Sequence, residues 1–231
     1  MKLVLFDCDG TLADSFGLIC EAMRLTFLEH GLDEPEDAAT RAIIGLSLST
    51  AILELAPDAP PKLIAKMVES YRTNFRTTRE DPVFREALFA GIKPMLDRLT
   101  ARDDVTIGLV TGKTRRGVDA VVAAHALDGM FKAVRTADDC PSKPHPAMVL
   151  ECCAELGIDP AETIVVGDAI HDIGMALAAG AEAIGVPWGA GSPEALMDAG
   201  AARIAADVPE LSELIDTWIA GRWSPEAAAS A

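Results

Sequence analysis

Apolar and polar positions follow two rhythms along this chain, and their order predicts an architecture. Lys2–Phe6 (KLVLF) is a short, branched apolar run that stops at polar residues, as a buried strand does. Runs at 106–110 (TIGLV), 163–166 (TIVV) and 182–186 (EAIGV) repeat it, and 132–136 is a weaker fifth. Helical periodicity occupies 116–127, 146–156 and 170–179, with Gly157 and Gly180 where helix-ending glycines belong. Strands alternating with helices predict an α/β core, a parallel sheet with helices on both faces.

One interval breaks the alternation. Across 15–88 only helices are expected. Ile19, Met23, Phe27 and His30 share one face of a helix that Gly31 ends. Leu63, Ile64, Met67, Val68, Tyr71 and Phe75 form a second apolar stripe, entered through Pro60-Pro61, and its Met and aromatic positions read as core. The expected organisation is therefore an α/β core from 1–14 and 89–222, a smaller all-helical domain over 15–88, and a flexible tail over 223–231.

Composition adds constraints. Half of the 231 residues are hydrophobic, enough for a sizeable core. The formal net charge of −16 repels nucleic-acid phosphates and anionic lipid heads, so neither is an expected partner. It also opposes an anionic substrate, so any phosphate site must be positive locally, through a lysine or a metal. The five cysteines (Cys8, Cys20, Cys140, Cys152, Cys153) contain no C-x-x-C pair and suggest neither a disulfide framework nor a zinc site. The N-terminal apolar run is too short for a signal-peptide core, and no membrane-length apolar stretch follows, so a cytoplasmic protein is expected.

In open parallel sheets, ligands bind beyond the carboxyl ends of the strands. Three expected strand ends carry unusual polar residues: Asp7 and Asp9 (FDCDGT), Thr111 and Gly112 (VTGK), and Asp168 followed by Asp172 (VGDAIHD). A fourth element, Ser142-Lys143-Pro144, lies in a loop heading a helix. Each alone is ordinary: Asp-x-Asp-Gly makes turns, Thr-Gly follows many strands, and Gly-Asp caps helices. Their joint occurrence at strand ends is not. Converging carboxylates repel unless a cation compensates them, and hard oxygen ligands select magnesium or calcium.

DCDGTLADS, VTGK, SKPHP and GDAIHD resemble, in order, the four motifs of the haloacid-dehalogenase-like superfamily. TADDCPSKPHP and GVPWGAGSPEAL are most similar to its phosphoglycolate-phosphatase-like branch. The resemblance implies a Rossmann-like core with the first strand central and the 15–88 insertion as a helical cap. It implies a magnesium-dependent phosphatase acting on a small phosphomonoester. Asp7 would be the nucleophile giving a phosphoaspartyl intermediate, and Asp9 the acid and then the base. Mg2+ would sit on the Asp7 carboxylate, the Asp9 main-chain carbonyl and Asp168. Thr111 and the Gly112 amide would bind phosphate oxygens, Lys143 would neutralise charge between phosphate and Asp7, and Asp172 would orient Lys143 or a metal-bound water.

Two departures stand out: Ala169 where many relatives carry serine or threonine, and Phe89-Ala90-Gly91-Ile92 in place of an aromatic-Pro-Gly turn. By the same resemblance, Ile44-Gly45-Leu46-Ser47 is the substrate-facing loop of the cap. His171, Arg115 and Arg116 read as solvated, His145 as a helix-entry residue and Cys8 as buried. A sugar phosphomutase shares the four motifs but would want an arginine near Gly45. A dehalogenase has no use for Asp9, and a non-catalytic phosphate-binding regulator has no use for the whole set.

Overall fold

The computed structural model describes residues 1–222; the tail expected over 223–231 lies outside them. The chain enters through β1 (Lys2–Phe6) and β2 (Ala13–Asp14), then runs through α1 (Phe16–Glu29), α2 (Asp37–Ala42), α3 (Leu48–Leu55) and α4 (Pro61–Thr78). It returns by β3 (Ala87–Leu88) and α5 (Ile92–Thr100), then continues with β4 (Val105–Val110), α6 (Arg115–Ala124), β5 (Ala133–Arg135) and α7 (Ala147–Leu156). The last elements are β6 (Thr163–Gly167), α8 (Ile170–Ala179), β7 (Glu182–Gly185), α9 (Pro193–Asp198), β8 (Arg203–Ile204) and α10 (Val208–Ile219).

Six strands pair in the order β5-β4-β1-β6-β7-β8, every neighbour parallel. Period-two geometry sends alternate residues of each strand to opposite faces. Val4, Phe6, Ile107, Leu109, Ile164 and Val166 pack on one face, against Leu96 of α5 and Trp218 of α10. Leu3, Leu5 and Val165 pack on the other, against Met148 and Cys152 of α7 and Ile173 of α8. Both faces are covered, which is why these strands are nearly continuous apolar runs. The α/β expectation and the interior place of the first strand hold. All five cysteines are free.

The helices α1 to α4 carry a third apolar cluster of their own, with Met23, Phe27, Ile52, Ile64 and Met67 at its centre. The expectation of helices alone across 15–88 needs one correction. Where the chain leaves and re-enters the core, Ala13 pairs with Leu88 and Asp14 with Ala87 in a two-residue antiparallel ribbon. Two residues are too few to show a period, and β8 escaped the reading of the sequence for the same reason. No helix among the described residues is long and apolar enough to cross a membrane.

Candidate active site

The central strands β4, β1 and β6 end side by side, and the polar residues after them meet there. Asp7 follows β1 and is buried. Its Oδ1 accepts from Lys143 Nζ at 2.7 Å, while its Oδ2 is buried without a hydrogen-bond partner among the described residues. Lys143, equally buried, also donates to Asp172 Oδ1 at 2.6 Å. Asp172 lies in the first turn of α8, where its Oδ2 accepts from the Ala169 amide at 3.1 Å. Because the contact is made by the Ala169 backbone, the missing hydroxyl at that position leaves it intact.

Asp168 follows β6 and is fully buried. Thr11 Oγ1 donates to its Oδ1 at 2.8 Å, and the Ala190 amide to its Oδ2 at 2.8 Å. Gly10, at φ +84°, lies so close that a Cβ there would collide with the Asp168 carboxylate, so the DxDG glycine serves close approach as well as the turn.

Electrostatics make this cluster unbalanced. Carboxylate oxygens of Asp7, Asp168 and Asp172 lie within 4.8 Å of one another, with Lys143 as the cation between two of them. Burial, opposed by Lys143 and reinforced by Asp172 and Asp9, raises the Asp7 carboxyl to about 7. Burial, with Asp7 and Asp172, pushes Asp168 well above the usual carboxylate range. Burial works against the Lys143 charge, but Asp172 and Asp7 outweigh it and raise its pKa. One lysine among three buried carboxylates leaves negative charge uncompensated. The open Oδ2 of Asp7 and the hard oxygen donors around it fit a small divalent cation.

Asp9 stands beside this cluster, with both Ser15 Oγ and Lys113 Nζ donating to its Oδ1. Lys113 Nζ is also 2.8 Å from Glu86 Oε1, and Glu86 lies 3.3 Å from Arg79 at the end of α4. Burial again opposes the Lys113 charge, and Asp9 and Glu86 overcome it. Thr111, fully buried after β4, holds its own turn by accepting from the Lys113 amide at 3.2 Å. A side chain at Gly112 would strike the carbonyl oxygens of Gly45 and Leu46, so the helical insertion rests directly on this strand end.

Asp7, Asp9, Thr111 and Gly112 line a cavity of about 520 Å3 between the insertion and the sheet. Ile44, Gly45 and Leu46 line it too, but Ser47 does not; its amide donates to Ser142 Oγ at 2.8 Å. Tyr71 and Phe75 pack against apolar clusters of the insertion, as expected, and also line the cavity, because the apolar face of α4 continues onto the opening. Arg116 is exposed, as expected, and stands on the cavity wall. One reading needs correction: Arg115 is half-buried and paired with Asp139 at 2.6 Å. Sequence reading missed Lys113, Glu86, Ser15 and Thr11. Lys113 and Thr11 stand inside motifs the sequence displayed, whereas nothing local marks Glu86.

The sequence model of the family described as haloacid dehalogenase-like hydrolase matches residues 4–186. The chain belongs to this family. Among its haloacid dehalogenase-like relatives, "Probable phosphatase IndB" of Dickeya dadantii is 34% identical over 81% of this chain and 81% of the relative. Pyrophosphatase PpaX of Bacillus pumilus is 33% identical over 85% and 88%. A phosphoglycolate phosphatase of Haemophilus influenzae is 28% identical over 81% and 86%. The crystal structure of a hydrolase from Pseudomonas syringae superposes with a TM-score of 0.84 over 94% of this chain and 98% of the other at 22% identity, a likeness of fold. This haloacid dehalogenase-like hydrolase is accordingly an enzyme, a phosphatase.

Proposed function

We propose that the enzyme is a magnesium-dependent phosphatase that hydrolyses a small phosphomonoester through a phosphoaspartyl intermediate on Asp7. The observation that carries this reading is the buried carboxylate of Asp7, held on one oxygen by Lys143 and lining the cavity beneath the 15–88 insertion with Asp9 beside it. Asp7 attacks phosphorus, and the leaving oxygen departs with a proton from Asp9. Asp9 then takes a proton from the water that attacks the acyl phosphate, so Asp7 is regenerated and inorganic phosphate released. Lys143 screens Asp7 from the incoming phosphate charge, and Thr111 and the Gly112 amide hold phosphate oxygens. Asp172 fixes Lys143.

Asp7, Asp168 and the Asp9 main-chain carbonyl would hold Mg2+. Asp172 is less free to do so, because its Oδ1 is paired with the Lys143 ammonium, whereas the Asp168 oxygens accept only from the neutral Thr11 hydroxyl and Ala190 amide. When bound, the ion supplies the positive charge that the chain otherwise lacks there and offsets the charge of the transferring phosphoryl group. The 15–88 insertion acts as a cap that admits small esters and excludes bulk water. The phosphoglycolate phosphatase and pyrophosphatase relatives support a small, anionic substrate.

The test is a panel of phosphate esters that includes phosphoglycolate and hexose phosphates, assayed with magnesium and with excess chelator. Inorganic phosphate released in step with ester loss, only when magnesium is present, is expected. Isomerised sugar phosphate with little free phosphate would assign the enzyme to the phosphomutases instead.

A further inference from the structure

The cavity reaches well beyond Asp7 and Asp9, and its outer wall combines two chemistries. Ile19 and Met23 of α1, Leu46, and Tyr71 and Phe75 of α4 give it an apolar surface. Arg76 of α4 and Arg116 of α6 add positive charge from the insertion and from the core respectively. The other cations facing the cavity are committed: Arg72 to Glu69 at 2.6 Å, Arg79 to Glu86 at 3.3 Å, and Lys113 to Asp9 and Glu86. The side chains of Arg76 and Arg116 make no hydrogen bond or ion pair with any described residue. Of the acidic groups on the same wall, Glu86 is paired with Lys113 and Arg79, while the exposed Asp138 accepts one hydrogen bond, from the Arg115 amide at 2.8 Å, and keeps its charge.

Two features make these arginines more than a solvated rim. The chain carries a net −16, so free guanidinium groups have abundant carboxylates to pair with elsewhere, yet these two face the cavity unpaired. Arg116 also lies in the first turn of α6, where a cation opposes the helix dipole and an anion relieves that opposition. The volume of about 520 Å3 suits a ligand with a body, since drug-sized ligands occupy cavities of roughly 300–1,000 Å3. A two-carbon phosphoester would leave the apolar wall uncovered.

We propose that the leaving group of the natural substrate has an apolar, ring-sized body that packs on Tyr71, Phe75 and Leu46 and ends in a carboxylate or similar anion bound by Arg76 and Arg116. This rests on the phosphatase reading and specifies its substrate class. Guanidinium–carboxylate contacts are charge-assisted and directional, so they select the anion, and the apolar wall selects the body.

The experiment compares kcat/KM for phenyl phosphate, 4-carboxyphenyl phosphate and phosphoglycolate, by release of inorganic phosphate with magnesium present. The carboxylated aryl ester should exceed phenyl phosphate by about tenfold, the scale of one charge-assisted contact. Phosphoglycolate should fall below the carboxylated aryl ester. Raising the ionic strength should narrow the first ratio, because the arginines are exposed. In the Arg76→Ala/Arg116→Ala double variant the ratio of carboxylated to neutral aryl ester should fall toward one; a ratio needs no assumption about how much variant is folded. Equal or better turnover of phenyl phosphate by the wild-type enzyme, phosphoglycolate as the best of the three, or an unchanged ratio in the variant would each overturn the subsite and leave the phosphatase reading standing. Phosphate release from none of the esters would overturn both.

Discussion

Lys113 Nζ donates to Asp9 Oδ1 and stands 2.8 Å from Glu86, so a single buried ammonium ties the proposed acid/base to the segment where the insertion returns to the core. Side-chain exposure is 8% for Lys113 and 1% for Glu86, so neither charge has water to fall back on. Removing one partner of a buried pair costs far more than removing both.

Lys113→Met should therefore destabilise the enzyme by about 3 kcal/mol, the usual scale for stranding a buried charge. It should also lower kcat, because Asp9 loses a contact that fixes its carboxyl. Adding Glu86→Gln should restore much of the stability and little of the rate. Urea unfolding beside steady-state kinetics on both variants checks this; if rate and stability recover together, Lys113 is structural only.

Asp9→Asn should lower kcat by about 10²–10⁴-fold, the range general acid–base help supplies. Magnesium affinity should change little, since the contact assigned to Asp9 is its main-chain carbonyl. A Mg2+ titration monitored by thermal shift, alongside kinetics, separates the two effects. A variant that turns over at wild-type rate would remove Asp9 from the chemistry.

Magnesium should raise Tm, because it binds the folded cluster and not the unfolded chain; at 100 times its Kd the gain is about 2.7 kcal/mol. Asp168→Asn should abolish most of that shift. Calcium should also stabilise but support little turnover, its looser coordination misplacing the reacting groups. A calorimetric Tm that ignores both ions would count against a metal at Asp7 and Asp168.

Gly112→Ala should hold the insertion away from the strand end, since its methyl group would meet the Gly45 and Leu46 carbonyls. Turnover should drop while the sheet stays folded, as far-ultraviolet circular dichroism would show. Unchanged kinetics would mean that close seating of the 45–46 loop on Gly112 is not needed for catalysis.

Much of the architecture was legible because it is periodic. β1 and α8 occupy the residues the sequence indicates, and the other expected strands differ by a residue or two at their ends. β2, β3 and β8 were not legible, since two residues cannot display a period. At the site, the residues named from motifs gather at neighbouring strand ends, where Asp7, Lys143 and Asp172 share hydrogen bonds. Glu86 was invisible because its meaning depends on a lysine that only the fold brings near. Tyr71 and Phe75 show why an apolar stripe is ambiguous: periodicity finds the face of α4 that avoids water, but a packed core and a cavity wall look alike to it, and these two residues serve both.

The most direct test of the whole account is to trap the intermediate. The enzyme is mixed with a turned-over phosphate ester and magnesium, quenched in acid during turnover and reduced with borohydride, and the peptides are mapped by mass spectrometry. A phosphoaspartyl at Asp7 predicts that the reduced aspartyl residue appears at position 7, only with substrate and magnesium, and not in Asp7→Asn. Reduction at another residue, or none while a pre-steady-state burst of the leaving alcohol shows that a covalent phosphoenzyme accumulates, would contradict it.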